Sequence, residues 1–341
     1  MNTIETTHVG SRPVALTGDR PTGPLHLGHL AGSLLERVRL QDACDQFVLI
    51  ADLQALTDNA GTPQKVQGAV SEIVADYIAV GLDPDRTTMC LQSAIPELTE
   101  LTLLYLNLVT VSRLERNPTI RDEIKMRGFD RNIPAGFLCY PAAQAADITG
   151  FKANLVPVGN DQLPMIELAQ ELAARVNGMA GTELLPRPTS VLSTSPRLPG
   201  IDGRAKASKS LGNAIFIKDD PDVVREKVRM MFTDPGHIRA SDPGRVEDNV
   251  VFAYLDAFSP DQDAVDELKR QYRQGGLGDV RLKRNLFEIL DSMLRPMRER
   301  RADIHPVDAA AILKRGTERA RSVVAATLRE VKAALGVPSI F

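Results

Sequence analysis

Over the first half of the chain, short unbroken apolar runs alternate with stretches whose apolar residues recur every three or four positions. Val14-Ala15-Leu16, Phe47-Val48-Leu49-Ile50-Ala51-Asp52, Met89-Cys90-Leu91 and Leu155-Val156-Pro157-Val158 read as strands. Their apolar runs are unbroken rather than alternating, so both faces are expected to be buried. Between them the spacing predicts a helix over about 27–43, with Leu30, Leu34, Leu35 and Val38 on one face. A second helix, over about 64–80, is stopped by Gly81. Such alternation makes a parallel sheet covered on both sides.

From Pro96 the pattern turns helical. Leu98, Leu101, Leu104, Tyr105 and Leu108 lie at helical spacing, Leu114-Glu115-Arg116-Asn117-Pro118 interrupts, and a charged helix follows over about 119–127. A mostly apolar segment, 134–148, leads into the strand at 155, whose following helix is predicted to stop at Asn177-Gly178. Residues 181–212, rich in Pro, Ser, Thr and Gly, read as a long loop, a feature more often functional than idle. Beyond it only helical periodicity remains: about 221–231, 251–258, 261–273, 279–303 and 307–335, with Pro296 expected to kink or end the fourth. The expectation is an α/β catalytic domain over 1–217 with a helical insertion at about 96–150, then an all-helical domain over 218–341.

Composition narrows the class. The 341 residues are 43% hydrophobic and 25% charged, ordinary for a globular chain of about two domains. A net charge of −3 gives no global basic field, so any RNA contact must come from a local patch. Cys44, Cys90 and Cys139 are odd in number and far apart, which excludes a full disulfide framework and a four-cysteine zinc site. No apolar run marks a secretion signal or reaches the roughly 18 residues of a membrane span, so a soluble, cytoplasmic protein is expected.

The chemistry starts at Thr17–Gly32, where a strand feeds a turn with four glycines and two prolines and then a helix. That is a recipe for holding phosphate. Two of the chain's five histidines, His26 and His29, stand in this turn and can donate N–H groups without a fixed charge. In the long loop, Lys206-Ala207-Ser208-Lys209-Ser210 offers two ammonium groups for the same polyanion; a solvated surface loop is the other reading.

Pro24-Leu25-His26-Leu27-Gly28-His29 beside the first strand, with KASKS about 180 residues downstream, resembles the paired signatures of class I aminoacyl-tRNA synthetases. TGDRPTG, YPAAQAADI at 140–148 and LVPVGNDQ at 155–162 narrow the resemblance to the tryptophanyl enzymes, and GDRPTG with SKSLGNAI to the auxiliary second type of some bacteria. It implies a Rossmann-type sheet, a helical anticodon-binding domain, ATP with Mg²⁺ carried on the nucleotide, L-tryptophan and tRNA(Trp) as partners, and a homodimer with the apolar insertion around 98–111 as interface. The implied reaction joins an amino-acid carboxylate to the α-phosphorus of ATP. Its nucleophile is already an anion, so positioning and charge neutralisation matter and no general base is needed. No dedicated metal site is expected.

By resemblance, His26, His29, Lys206 and Lys209 are catalytic. ATP would meet Arg20, Pro21, Thr22, Gly28, His29, Gly159, Asn160, Asp161, Leu198 and the loop Lys206, Ala207, Ser208, Lys209, Ser210. The amino-acid pocket would be Leu16, Arg20, Tyr140, Gln144, Asp147, Val156, Val158 and Gln162. In it Asp147 accepts the indole N–H, Tyr140 and Gln162 hold the α-amino group, and Val156 and Val158 wall the ring. Three residues depart from the family pattern. Arg20 replaces a glutamine near the substrate carboxylate, where a salt bridge is expected; Gln144 and Ala207 each replace a methionine. Tyr-x-x-x-Gln-x-x-Asp also resembles archaeal-type tyrosyl enzymes, so tyrosine is the second substrate considered. A regulatory, partner-binding relative is the third reading. Over 281–330, twelve basic residues face seven acidic ones, an excess of five suited to a tRNA backbone, or to a solvated face laced with ion pairs.

Overall fold

A computed structural model describes residues 12–129, 132–192, 198–204, 206–209 and 211–338. Five parallel strands, β1 (Val14–Asp19), β2 (Asp45–Ile50), β3 (Thr87–Leu91), β4 (Leu155–Val158) and β5 (Thr189–Leu192), form one sheet in the order β3-β2-β1-β4-β5. β1 pairs with β2 in register from Val14↔Asp45 to Asp19↔Ile50. The pleat sends alternate β2 residues to opposite sides. Val48 and Ile50 join one core cluster with the helix Pro63–Ala79, while Phe47 and Leu49 join a second with the insertion helices. Burial on both faces is why these strands read as continuous apolar runs.

The expected elements are present, with three differences in where they start and stop. Asp52 does not end a strand but starts a helix, Asp52–Asn59. The loop 181–212 contains β5, a polar edge strand without the apolar run that marks the others. The helix after β4, Leu163–Ala180, runs through Asn177-Gly178 and ends at Gly181, whose φ of +67° is left-handed. Asn177 spends its amide on the backbone of Leu184 and Leu185 instead. Pro296 sits inside Asp279–Ala302 without ending it, flanked by the buried Leu294 and Met297. The helix after β1 begins as Leu27–His29, passes through a π-helical turn, Leu30–Leu34, and continues as Leu35–Ala43.

The helical third packs directly on the sheet. Its last helix, Pro306–Ala334, covers the edge strand β3: a Cβ on Gly316 would stand 2.0 Å from the Met89 carbonyl oxygen, and Thr317 Oγ1 accepts from the Leu91 N–H at 3.0 Å. One cluster runs from Leu25 to Leu313, across the position expected to divide the domains. Eight of the twelve basic residues expected to form a tRNA surface bind within the chain. Arg300 donates to Ala79, Lys283 to Arg229, and Arg295 and Arg298 to Asp291. Arg301, Arg315, Arg319 and Arg321 pair with Asp76, Asp85, Asp45 and Glu97. Five of these, Arg300, Arg301, Arg315, Arg319 and Arg321, tie the last two helices to residues 45–97, leaving Arg281, Arg284, Lys314 and Arg329 as the outward candidates. Among the described residues no helix is long and apolar enough to cross a membrane.

Candidate active site

A parallel sheet whose order reverses between β1 and β4 opens a crevice at the strands' carboxyl ends. The turn Arg20–His26 leaves β1 there. The extended backbone at 215–217 locks it: Leu27 N–H donates to Ile215 O at 2.9 Å and Ile217 N–H to Leu25 O at 3.0 Å. This pairing carries the lysine loop across the histidine turn. Lys209 Nζ donates to Gly23 O at 2.7 Å, and Ala207 lies 3.7 Å from where a Cβ on Gly28 would be. Signatures separated by about 180 residues thus form one surface.

Both imidazoles are fixed in tautomer by the backbone. Gly28 N–H donates to His26 Nδ1 at 3.0 Å, and His26 N–H to His29 Nδ1 at 3.2 Å. A nitrogen that accepts an N–H carries no proton when the ring is neutral, so each ring keeps its hydrogen on Nε2. They are neutral at pH 7: burial first, then the neighbouring His29 ring and the charges of Lys209 and Lys206, bring His26 down to about 3. Burial brings His29 to about 4, against the pull of Asp19. The ring centroids are 3.9 Å apart. Gly28 is required, since a Cβ there would meet His26 Cε1 at 2.8 Å.

Beneath the turn, Asp19 at the end of β1 accepts from Arg37 Nη1 at 2.5 Å and from Tyr77 Oη at 2.7 Å. Burial works against its charge, but Arg37, His29 and Tyr77 hold the carboxyl well below the usual range. Burial brings the Lys209 ammonium down to about 8. Lys206 is exposed. Ser208 N–H donates to the buried Asn213, which braces the loop, and Ala207 N–H donates to Leu198 O. Ser210 lies outside the described residues. Pro21 is buried and Thr22 half-buried in the turn, whereas Gly159, Asn160 and Asp161 are exposed at the end of β4.

On the other side of β1, Leu16 and Val156 are buried in one cluster with Val158 packed against it. The helix Ala135–Gly150 brings Asp147 to that side, 6% exposed. Gln92, just past β3, donates its amide to both Asp147 oxygens at 3.0 and 2.8 Å. Burial outweighs this bond and raises the carboxyl to about 7. Gln144 lies 3.4 Å from Gln162 Oε1, and the buried Tyr140 hydrogen-bonds Glu123. Arg20, exposed at the turn, pairs its guanidinium with Asp58 Oδ2 at 2.6 Å, and Arg127 takes the other oxygen at 2.9 Å.

Sequence reasoning missed Asp19, Arg37, Tyr77, Gln92 and Asp58. Two had a signal. Arg37 is three residues from Leu34 and seven from Leu30, a charge on the apolar helix face that demands a buried partner. Gln92 is the first polar residue past a buried parallel strand, where ligands bind.

The family profile described as "tRNA synthetases class I (W and Y)" matches residues 9–295. A protein of Clostridium longisporum named tryptophan–tRNA ligase is 54% identical over 333 residues, 96% of this chain and 98% of that one. A tryptophan–tRNA ligase of Streptococcus pneumoniae is 51% identical with the same coverage. Among solved structures, a tryptophanyl-tRNA synthetase from Campylobacter jejuni, complexed with ADP and tryptophan, superposes with a TM-score of 0.81 at 28% identity, covering 95% of this chain and 99% of that one.

Proposed function

The chain belongs to the class I tRNA synthetases of the tryptophan and tyrosine group, and on that premise we infer that it is a tryptophan–tRNA ligase. It activates L-tryptophan with ATP to the adenylate and transfers the aminoacyl group to tRNA(Trp). A tryptophan carboxylate oxygen attacks the α-phosphorus, the bond to the β-phosphate oxygen breaks, and pyrophosphate leaves. The 3′-terminal ribose of tRNA then takes the acyl group and AMP departs.

The carrying observation is Asp147, a buried carboxylate to which Gln92 is the recorded donor. Such a group at the base of the amino-acid pocket has lone pairs left beyond the Gln92 bond for an indole N–H, and phenylalanine leaves them unused, a mismatch that costs about 1–3 kcal/mol. A tyrosine hydroxyl also donates, and the identity of over half to ligases named for tryptophan favours the indole.

On this reading Leu16, Val156 and Val158 wall the ring, and Tyr140, Gln144 and Gln162 surround the α-amino group. The Nε2–H groups of His26 and His29 donate to the phosphates, and Lys206 and Lys209 close with Ala207 and Ser208 over the leaving pyrophosphate. Gly159, Asn160, Asp161 and Leu198 border the nucleoside. Mg²⁺ would arrive on the nucleotide. Bound there, it would offset charge on the leaving group. Domain roles follow the sequence expectation: catalysis in 1–217 and tRNA binding on the helices of 218–341. The exposed Leu103 and Val111 are offered as part of a homodimer contact.

The test is ATP–pyrophosphate exchange with each amino acid, followed by charging of tRNA(Trp). Tryptophan should support both; exchange with tyrosine and none with tryptophan would overturn the assignment.

A further inference from the structure

We propose that Arg301, in the helix Asp279–Ala302, is a positioning residue for adenylation; the proposal rests on the adenylation reading above. Its guanidinium reaches over the helix Pro63–Ala79 and holds two carboxylates at once. Nε donates to Asp76 Oδ1 at 2.7 Å and Nη2 to Glu72 Oε2 at 2.8 Å. Each carboxylate goes on to hold one signature loop.

Asp76 is 0% exposed, and its second oxygen accepts the backbone N–H of Leu25, the residue before His26, at 2.7 Å. Glu72 Oε2 also accepts from Lys218 Nζ at 2.9 Å, and Lys218 directly follows the segment 215–217 that pairs with the histidine turn. Leu25 and Ile217 are themselves hydrogen-bonded to each other. Arg301 thus anchors both strands of the crossing at which the histidine turn meets the lysine loop. A side chain from the helical third sets the base on which all four catalytic candidates stand.

The geometry explains the choice of residue. Asp76 has no contact with water, so its charge persists only beside a cation; burial already pushes its carboxyl upward. Without Arg301 the carboxyl would take a proton and become a weaker acceptor for the Leu25 N–H. Glu72 would lose one of its two cations. The histidine turn would then be held less firmly while its own residues stay intact. A lysine cannot substitute fully, because one ammonium on a flexible stem lacks the fork that serves two carboxylates. The tryptophan pocket packs in the other core cluster, so its affinity is insulated from this tie.

The experiment uses the full-length protein and ATP–pyrophosphate exchange with tryptophan. The wild-type rate tests the adenylation reading by itself, and the ratio of variant to wild type tests this proposal. Arg301→Met should lower kcat by about 10- to 100-fold, the range for a displaced catalytic group, with KM for tryptophan within twofold. Arg301→Lys should lie between the two and serves as the measurement if Arg301→Met does not fold. Lys332→Met breaks a different tie of the helical third, to Glu100 at 2.7 Å, that touches neither loop, and should leave kcat unchanged. An unchanged kcat in folded Arg301→Met or, failing that variant, Arg301→Lys would overturn the proposal. So would an equal fall in kcat for Lys332→Met, which would mark a general structural effect.

Discussion

Replacing Asp147 by asparagine should make this protein more stable and less active, and both changes can be worked from one geometry. The carboxyl is 6% exposed and titrates at about 7 rather than its ordinary 3.8, because burial outweighs the bond from Gln92. A displacement from 3.8 to about 7, at about 1.4 kcal/mol per pH unit, amounts to about 4 kcal/mol. The sign follows from proton linkage. The unfolded chain releases this proton near pH 4 and the folded chain near 7, so the folded state is the one that holds it between them. Stability contributed here falls as pH rises through that window, and the penalty is complete above about 7. Asp147→Asn removes a charge that never needed burial, and should gain up to about 4 kcal/mol at pH 8 and nothing at pH 4. Its amide has one acceptor where the carboxylate has two oxygens. Gln92 takes that acceptor, and the amide N–H₂ then faces the indole N–H. Losing a bond to a charged acceptor and burying an unpaired donor cost about 3–4 kcal/mol together, on the order of 10²- to 10³-fold in kcat/KM for tryptophan. Urea denaturation at pH 4.5 and 8 and pyrophosphate exchange read the two effects. A stability change equal at both pH values, or an unchanged kcat/KM, would refute the reasoning.

Gly28→Ala should lower kcat by about 10- to 100-fold, because ordinary contact begins near 3.4 Å and a Cβ 2.8 Å from His26 Cε1 forces the ring back by about half an ångström. Stopped-flow adenylate formation measures it, and a rate within twofold of wild type would count against the role of His26. For the free protein, kcat/KM for tryptophan should rise through about pH 7 as Asp147 ionises, while kcat/KM for ATP should fall above about 8 as Lys209 loses its proton. Profiles flat from pH 6 to 9 would contradict both assignments. Arg37→Met leaves Asp19 buried without its cation and should cost about 3–5 kcal/mol in chemical denaturation at pH 7. Because the Asp19 carboxyl is held low, the wild-type advantage is present above its ordinary 3.8 and is lost on acidification below it. A difference at pH 2 as large as that at pH 7 would assign the loss to packing.

What could be read from the chain was whatever lay within one element. Strands buried on both faces carry unbroken apolar runs, so β1 to β4 were legible, whereas β5 is an edge strand with an exposed Thr189 and Leu192 and carries no such run. Stop signals were outvoted where packing or side-chain bonds had other uses for them. Asn177 braces a loop instead of ending its helix, and Pro296 is carried through between Leu294 and Met297. The histidine and lysine motifs were legible because each is local. Gln92 meets Asp147 across 55 positions and Tyr77 meets Asp19 across 58, and pairing at that range is decided by the fold. The ion pair of Arg20 with Asp58 was hidden for the same reason, since Asp58 lies on a helix the pattern did not reveal.

The network under the histidine turn bears on why histidines suit this site. Lys206, Lys209 and Arg37 already converge on it, and their charges help to depress His26 and His29. Two further cations would repel the lysines before any nucleotide arrived, and their desolvation would oppose folding. Neutral rings locked with hydrogen on Nε2 avoid this while still offering oriented dipoles to phosphate oxygens, and dipoles fixed in advance need no reorganisation as charge develops. Gly28 and the backbone N–H of His26 do the locking. Lys209, at about 8, keeps most of its charge at neutral pH, so the full positive charges sit on the lysine loop and the uncharged donors sit on the histidine turn. On the proposed reading that division suits adenylation, with donors set in advance toward the α-phosphate and full charges toward the pyrophosphate that leaves.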